Sequence, residues 1–185
     1  MKVNLGFNRE QLESVVEAVK NNPEAGKTVW KASSRWQEGF KSEATIPREG
    51  PPATHTAGPP HTVSMDEPTL LGGSDTAPNM VEMVLGAYGC CLTTGFVANA
   101  ALRGIELERV DIELEGDLDL RSFFGLEDPD TVWPGYTEVR AKVTLEAADA
   151  TPEQLRELHE QVVRTSPVGN IISRPVKVKA ELNSG

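Results

Sequence analysis

Two adjacent cysteines, Cys90 and Cys91, are the only cysteines in the 185-residue sequence. Because neighbouring cysteines close no loop, they cannot supply the disulfide framework that stabilises small secreted domains. In a reducing compartment they are either buried thiols that fill space or reactive thiols that attack an electrophile and pass through a sulfenic acid. The residues alone leave both interpretations open.

The three histidines give a weaker case for chemistry. His55 and His61 lie six residues apart near a proline-rich loop, without an accompanying cysteine or acidic cluster, and His159 stands far along the chain. Catalytic metal sites usually need three protein ligands. The sequence therefore predicts no metal and no cofactor, and a metal-dependent hydrolase is set aside.

The cysteines lie in the segment that favours the longest helix. A turn-rich stretch leads to Pro78, which suits the first position of a helix, and Gly104 suits a left-handed stop after Arg103. Residues 83–102 carry no charge over 20 positions, which is long enough to cross a bilayer. Glycine, threonine and asparagine dilute this segment and no Lys or Arg flanks its start, so we expect no membrane span and a helix buried on all sides of a soluble core.

The remaining patterns predict short helices and alternating strands around this long helix. An Asn8–Gln11 capping box opens a helix, and further helices begin at Thr151 and at Ser166-Pro167. The predicted strands cover residues 28–34, 39–46, 110–120, 139–145 and 176–182. We therefore expect an α+β fold with an antiparallel sheet packed on a long central helix. The expected organisation is one domain over residues 1–185, with a helical extension at 1–27 and a core at 28–182.

The charge balance excludes several classes of partner. The chain has 28 acidic and 18 basic residues, a formal net charge of −10, and no clustered run of Lys or Arg. Such a surface cannot neutralise phosphates or anionic lipids, so we expect neither nucleic acid nor a membrane surface as a partner. The N-terminal residues lack the apolar stretch of a secretory signal, and the expected compartment is the cytoplasm.

Two sequence stretches and the order of elements together resemble one known family. The first stretch runs from Leu71-Gly72-Gly73 through Pro78 and Glu82 to Leu85-Gly86-Ala87-Tyr88-Gly89-Cys90-Cys91. The second is Ser166-Pro167-Val168-Gly169-Asn170, followed by Ser173-Arg174-Pro175-Val176. Over about residues 28–182 the chain resembles the OsmC/Ohr family (osmotically inducible protein C-like, organic hydroperoxide resistance).

The resemblance implies that Cys91 is the reactive cysteine, because it follows the tyrosine by three residues. In family members that are peroxidases, this thiolate attacks a peroxide and a second cysteine resolves the sulfenic acid. Here Ser166 stands at the second position, so the chain is a divergent member that lacks the resolving cysteine. Cys90 could replace that partner only through a strained ring, and an external thiol reductant is the expected alternative. The family also implies an intertwined homodimer.

The resemblance also implies two charged residues that act with Cys91. The family brings an arginine from an early strand, and Arg35 is the best match here. Glu82 corresponds to the acid that orients this arginine, although the family's hydroperoxidases carry it one residue earlier, where this chain has Val81. On a straight helix Glu82 lies about 13 Å along the axis from Cys91, so only an arginine bridge could link the two.

Two functions from different classes follow from the resemblance. The first is thiol-dependent reduction of small apolar organic hydroperoxides, or related electrophiles, in oxidative-stress defence through Cys91. The second is a non-catalytic binding or carrier protein for a small ligand on the same scaffold. The missing second cysteine and the displaced acid favour the second, whereas the position of Cys91 favours the first.

Overall fold

The computed structural model describes residues 6–48 and 58–183. The chain divides into two compact units, Met1–Val84 and Leu85–Gly185. The expectation of a single domain with an N-terminal extension stays a prediction. His55 and most of the proline-rich loop predicted around it lie outside the described residues.

Among the described residues, the first unit contains one α-helix, two short 3₁₀ helices (Pro23–Gly26 and Thr69–Leu71) and a small antiparallel sheet. Helix α1 (Arg9–Asn21) begins where Asn8 accepts the backbone N–H of Gln11, as its capping sequence predicts. The sheet has the strand order β1-β2-β3, and its strands are antiparallel. Their bounds are β1 (Ser33–Trp36), β2 (Ser42–Ile46) and β3 (His61–Met65).

Among the described strands of this unit, β3 is the one that the sequence does not predict. It follows the proline- and glycine-rich loop directly and pairs His61 with Ile46 and Met65 with Ser42. Of its five residues only Val63 and Met65 are apolar, so the segment offers little hydrophobic alternation to recognise. Strand β2 begins three residues later than predicted, and β1 lies at 33–36 instead of 28–34, since pairing with the neighbouring strand decides where each one begins and ends.

A buried carboxylate organises the turn that precedes the long helix. Asp66 is 1% exposed, and its two oxygens accept the backbone N–H groups of Glu67, Ser74 and Thr76 together with the Thr76 hydroxyl. Burial acts to raise the pKa of Asp66, but these hydrogen bonds, led by the Thr76 hydroxyl, outweigh it and leave the pKa below its ordinary value. The carboxylate thereby fixes the glycine-rich loop.

Helix α2 (Met80–Arg103) carries both cysteines and ends as predicted, but it begins later. Asn79 and Glu82 form a reciprocal cap, in which Asn79 Oδ1 accepts the Glu82 N–H and the Glu82 carboxylate accepts the Asn79 N–H, each at 2.9 Å. Pro78 therefore lies before the cap and is not the first helical residue. At the other end Gly104 has φ 74°, and the N–H groups of Gly104 and Ile105 bond to the carbonyls of Ala101 and Ala100.

In this chain by itself α2 is not buried on all sides as predicted, because burial follows a single stripe. Its buried side chains recur about every fourth residue, and they are Tyr88, Leu92, Phe96, Ala100 and Ala101. The helix is long and apolar enough to cross a membrane, with 17% of its most apolar window buried. By itself such a helix is weak support for a span, because the core helix of a soluble protein has the same length and composition.

A two-stranded antiparallel sheet packs on this stripe in the second unit. Strands β4 (Leu107–Leu118) and β5 (Tyr136–Ala147) are both longer than predicted, and their inward residues pack against the core of α2. On the outer face Arg140 contacts Asp117 at 2.6 Å and Glu115 at 3.3 Å. Such exposed ion pairs stabilise little, so the sheet depends on its apolar face.

Two further helices complete the second unit. Helix α3 (Pro152–Thr165) opens with the predicted Thr151–Gln154 capping box, and Leu158 and Val162 on its inner side are almost fully buried. Helix α4 (Pro167–Ser173) follows directly. The predicted last strand at 176–182 is wrong for this chain by itself, because those residues form no regular element. The α+β class, with small antiparallel sheets and a long helix, is confirmed.

Candidate functional site

The second unit brings Cys91 and Ser166 together. Cys91 Sγ lies 3.2 Å from Ser166 Oγ, although the two residues are 75 positions apart in the sequence. Cys91 is half-buried, whereas Ser166 is 4% exposed. The contact therefore joins a thiol that solvent can reach in part to a hydroxyl that it hardly reaches.

The hydrogen bonds around Ser166 leave its hydroxyl proton available. Ser166 Oγ accepts the backbone N–H of Gly169 at 3.1 Å, which is the N-cap bond of α4. The Ser166 carbonyl accepts the side-chain amide of Asn170 at 2.8 Å. Since the hydroxyl oxygen is already an acceptor, its own proton is available to the sulfur of Cys91. Ser166 is thus both a helix cap, as predicted, and a neighbour of the thiol.

Tyr88 lies on the same face of α2 as Cys91 and packs beside the Cys91–Ser166 pair. It precedes Cys91 by three residues, about one helical turn, and is 9% exposed. A Cβ built on Gly169 would lie 2.9 Å from Tyr88 Cε2, so the ring occupies the space that a side chain at 169 would need. Burial raises the pKa of Tyr88, and the charge of nearby Cys91 acts in the same direction. The phenol therefore keeps its proton at neutral pH.

Cys90 faces a different surface from Cys91. Successive residues on an α-helix point about 100° apart, and Cys90 is exposed whereas Cys91 is half-buried. Cys90 lines an open groove of about 410 Å³ between α2 and β4. Its neighbours in that groove include Gly86, Gly89, Thr93 and Leu114. The role of Cys90 as a replacement disulfide partner stays a prediction.

The structure places the two predicted charged residues in the first unit. The Glu82 carboxylate accepts the Asn79 N–H at the start of α2, so it has a capping role that the sequence analysis missed. Arg35 lies on β1 opposite Glu43 of β2, and both line a cavity of about 290 Å³. It stays a prediction that Arg35 activates Cys91 and that Glu82 orients Arg35.

Among the residues that the structure describes, no group of three or more His, Cys, Asp or Glu side chains could hold a metal ion. His61 belongs to β3, and His159 stacks on Phe96 with ring centroids 6.1 Å apart.

Two contributors to the site were missed by the sequence analysis. Tyr88 served there only to align the cysteine, yet its spacing of three residues from Cys91 already placed both on one helix face. Gly169 appeared only within a motif, although the position three residues after a serine N-cap supplies the capped N–H. The close approach of the Tyr88 ring to Gly169 had no signal in the sequence.

Comparison with known proteins gives the fold and family of this chain. A solved OsmC-like protein from Mycoplasma pneumoniae has a TM-score of 0.57 and 11% identity, and the match covers 77% of this chain and 85% of that one. An organic hydroperoxide resistance protein OsmC from Legionella pneumophila has a TM-score of 0.51 and 16% identity, over 80% and 92% of the two chains.

An organic hydroperoxide resistance protein from Elizabethkingia anophelis has a TM-score of 0.50 and 13% identity, over 78% and 89% of the two chains. Comparison with curated protein sequences gave no significant match. Identities this low show the shared fold alone. The family itself follows from a sequence model for OsmC-like proteins, which matches residues 72–181 and so includes both Cys91 and Ser166. The chain belongs to the OsmC-like protein family.

Proposed function

We propose that this protein acts in peroxide-stress defence as a thiol-dependent peroxidase, with Cys91 as the nucleophile and small apolar organic hydroperoxides as substrates. Membership of the OsmC-like family supports the general role, as do two solved structures of the same fold that are named organic hydroperoxide resistance proteins. The proposed compartment is the cytoplasm, where a reducing environment keeps an unpaired thiol available.

The contact between Cys91 Sγ and Ser166 Oγ carries the proposal. The thiolate of Cys91 attacks the terminal O–H oxygen of the hydroperoxide. An S–O bond forms and the O–O bond breaks. The alcohol leaves after taking up one proton, and the sulfur becomes a sulfenic acid. A hydroxyl at 3.2 Å is placed to donate a hydrogen bond to the sulfur anion.

The same contact indicates how the oxidised enzyme is restored. A serine cannot form a disulfide, so the Cys91 sulfenic acid condenses with an external thiol, which releases water and leaves a mixed disulfide. A second molecule of thiol then frees Cys91 and departs as the oxidised disulfide of the reductant. The different faces of Cys90 and Cys91 support an external reductant over a bond between the two.

Turnover of cumene hydroperoxide with dithiothreitol tests this function. We expect Cys91→Ser to reduce peroxide consumption to the rate of the reductant alone. Cys90→Ser is the matched control, since it removes a thiol from the adjacent position, and it should retain most of the activity. Equal rates for the wild type and Cys91→Ser would refute the proposal, and mass spectrometry would show which sulfur is oxidised.

We also propose that the chain forms a homodimer. The segment predicted as the last strand exposes alternating apolar side chains, with Val176 58%, Val178 82% and Leu182 89% exposed. A strand-like sequence that finds no partner within its own chain is suited to pair with a second copy. Light scattering after gel filtration should give twice the 20.1 kDa of the chain, and a monomeric mass would contradict the proposal.

A carrier without turnover is the second candidate. The specific observation in its favour is that Ser166 is fully accounted for as the cap of α4, so its position needs no redox role. In that case native mass spectrometry of freshly purified protein should show a bound small molecule. Cys91 would then stay reduced when a modest excess of hydroperoxide is added.

A further inference from the structure

A second cavity of the Leu85–Gly185 unit lies next to the thiol and has polar walls. Its volume is about 480 Å³, and its lining comes from the start of β5, the end of α3, helix α4 and Tyr88 of α2. Two arginines, Arg164 and Arg174, line it together with Asn170. A cavity of this size holds a small organic molecule, and arginines are well suited to bind a carboxylate.

The cavity contains hydrogen-bond donors, two of them positively charged, that have no acidic partner among the described residues. Within residues 6–48 and 58–183, no carboxylate forms an ion pair with the guanidinium group of Arg164 or Arg174, and no hydrogen bond of the Tyr88 hydroxyl is found. Most other arginines of this unit are paired, and Arg140 alone contacts three acidic side chains. The two arginines of the cavity are therefore available to an anion from solution.

One acidic residue, Glu138, also lines the cavity, and its single charge offsets only one of the two arginines. Glu138 is 63% exposed, and its carboxylate lies 3.4 Å from the guanidinium group of Arg140 on the same strand. The two arginines thus leave a positive local balance in a protein whose net charge is −10. An isolated positive site on an acidic protein selects for an anionic group at that place.

The cavity and the thiol share a wall. Tyr88 lines the cavity and is close enough to Cys91 for the charge of that residue to raise the pKa of the phenol. Gly169 and Asn170 line it too, and both are hydrogen-bonded to Ser166, the residue that contacts Cys91 Sγ. A molecule held in the cavity by a carboxylate would contact Tyr88 and Gly169, the residues next to the Cys91–Ser166 pair.

We propose that this cavity is a carboxylate-binding subsite, formed by Arg164, Arg174 and the hydroxyl of Tyr88, for an anionic reactant of Cys91. Its connection with catalysis rests on the proposed peroxidase function, whereas the binding itself does not. Two reactants of the proposed cycle could supply the carboxylate, namely the hydroperoxide or the external thiol. The chemistry of recognition is the same for both.

Binding of benzoate and benzamide, which have the same shape and differ in charge, tests the subsite without turnover. We expect titration calorimetry to show tighter binding of benzoate to the wild type, and the double variant Arg164→Gln/Arg174→Gln to weaken it by about tenfold or more. The control Lys177→Gln/Lys179→Gln removes the same charge from the neighbouring segment and should change binding little. Equal binding of the two probes, or an equal loss in the control, would overturn the proposal.

Kinetic comparisons distinguish the source of the carboxylate. If the thiol supplies it, the KM for 3-mercaptopropionate should rise about tenfold in the arginine double variant, while that for 2-mercaptoethanol stays constant. If the hydroperoxide supplies it, the same selective rise should appear for a carboxylated hydroperoxide and not for cumene hydroperoxide. Cys91→Ser should still bind benzoate, because the subsite does not include the sulfur. Absence of turnover in a wild-type protein that binds benzoate would count against the peroxidase and not against the subsite. Unchanged KM values for every anionic reactant would refute a role at Cys91.

Discussion

Cys91 Sγ and Ser166 Oγ are 3.2 Å apart, so a thiol on the long helix and a hydroxyl at the start of α4 are direct neighbours. This distance places an oxygen where a second sulfur would be close enough to form a disulfide after a small adjustment. A cysteine in place of Ser166 would therefore face the Cys91 thiol directly.

Ser166→Cys should restore an internal disulfide. After addition of one equivalent of hydroperoxide, we expect a bond between Cys91 and the introduced cysteine, because the sulfenic acid then has an adjacent thiol to condense with. Peptide mapping under non-reducing conditions would detect it as a loss of two hydrogens. Ser173→Cys, at the other end of α4, is the control and should form no such bond. Further oxidation of Cys91 without a disulfide would contradict the expectation.

Ser166→Ala should destabilise the fold. The substitution removes the cap of α4, and loss of such a cap costs roughly 0.5–2 kcal/mol in the free energy of unfolding. Thr165→Ala is the matched control, because the Thr165 hydroxyl is exposed and bonds only back to Gln161 within α3. Urea unfolding followed by circular dichroism would measure both. A loss no larger than that of the control would show that the capping bond contributes little.

Local patterns predicted most helix ends because each depends on a short-range contact. A few adjacent residues were enough to predict the caps at Asn8 and Thr151 and the helix end at Gly104. The start of α2 was misplaced because proline at the first helical position competed with a better cap at Asn79. A preference for Pro78 was real but weaker than two reciprocal hydrogen bonds.

Long-range features could not be derived from local pattern. The resemblance assigned Ser166 to the second-cysteine position, but no periodicity indicates that a hydroxyl 75 residues away reaches Cys91. The strand-like alternation at 176–182 was also genuine, yet a strand needs a partner strand, which the described chain by itself does not supply. Pattern thus predicts which segments can pair, while tertiary contact decides which do.

Alanine at two glycines of α2 should give opposite results. A Cβ at Gly95 would lie 2.8 Å from Val162 Cγ1, at the place where α2 and α3 pack, so Gly95→Ala should destabilise by about 1–3 kcal/mol. A Cβ at Gly86 meets nothing within 4 Å, and Gly86→Ala should stabilise by roughly 0.5–1 kcal/mol through helix propensity. Thermal and urea unfolding of both variants would measure this contrast, and the same sign for both would refute it.

Stability should depend on pH through Asp66. Its folded-state pKa lies below the ordinary value of 3.8, because the Thr76 hydroxyl and three backbone N–H groups stabilise the charged form against the opposing effect of burial. A depressed pKa means that the stabilisation is complete above the ordinary value and is lost as the pH falls through the folded-state value. We therefore expect Asp66→Asn to lower the free energy of unfolding at neutral pH. The difference in free energy of unfolding between the wild type and this variant should shrink as the pH is brought below 3.8.

Asp130→Asn is the matched control for this pH series, because Asp130 is an exposed carboxylate in the loop between β4 and β5. Urea unfolding of the three proteins across the acid range isolates the contribution of Asp66 from that of the other carboxyl groups, which are common to all. Because the buried oxygens accept four hydrogen bonds, an amide at this position also places an N–H group against donors, and the glycine-rich loop should loosen. If the difference in free energy of unfolding between the wild type and Asp66→Asn stays constant down to the lowest pH, the charged form of Asp66 stabilises the fold no more than the neutral form does.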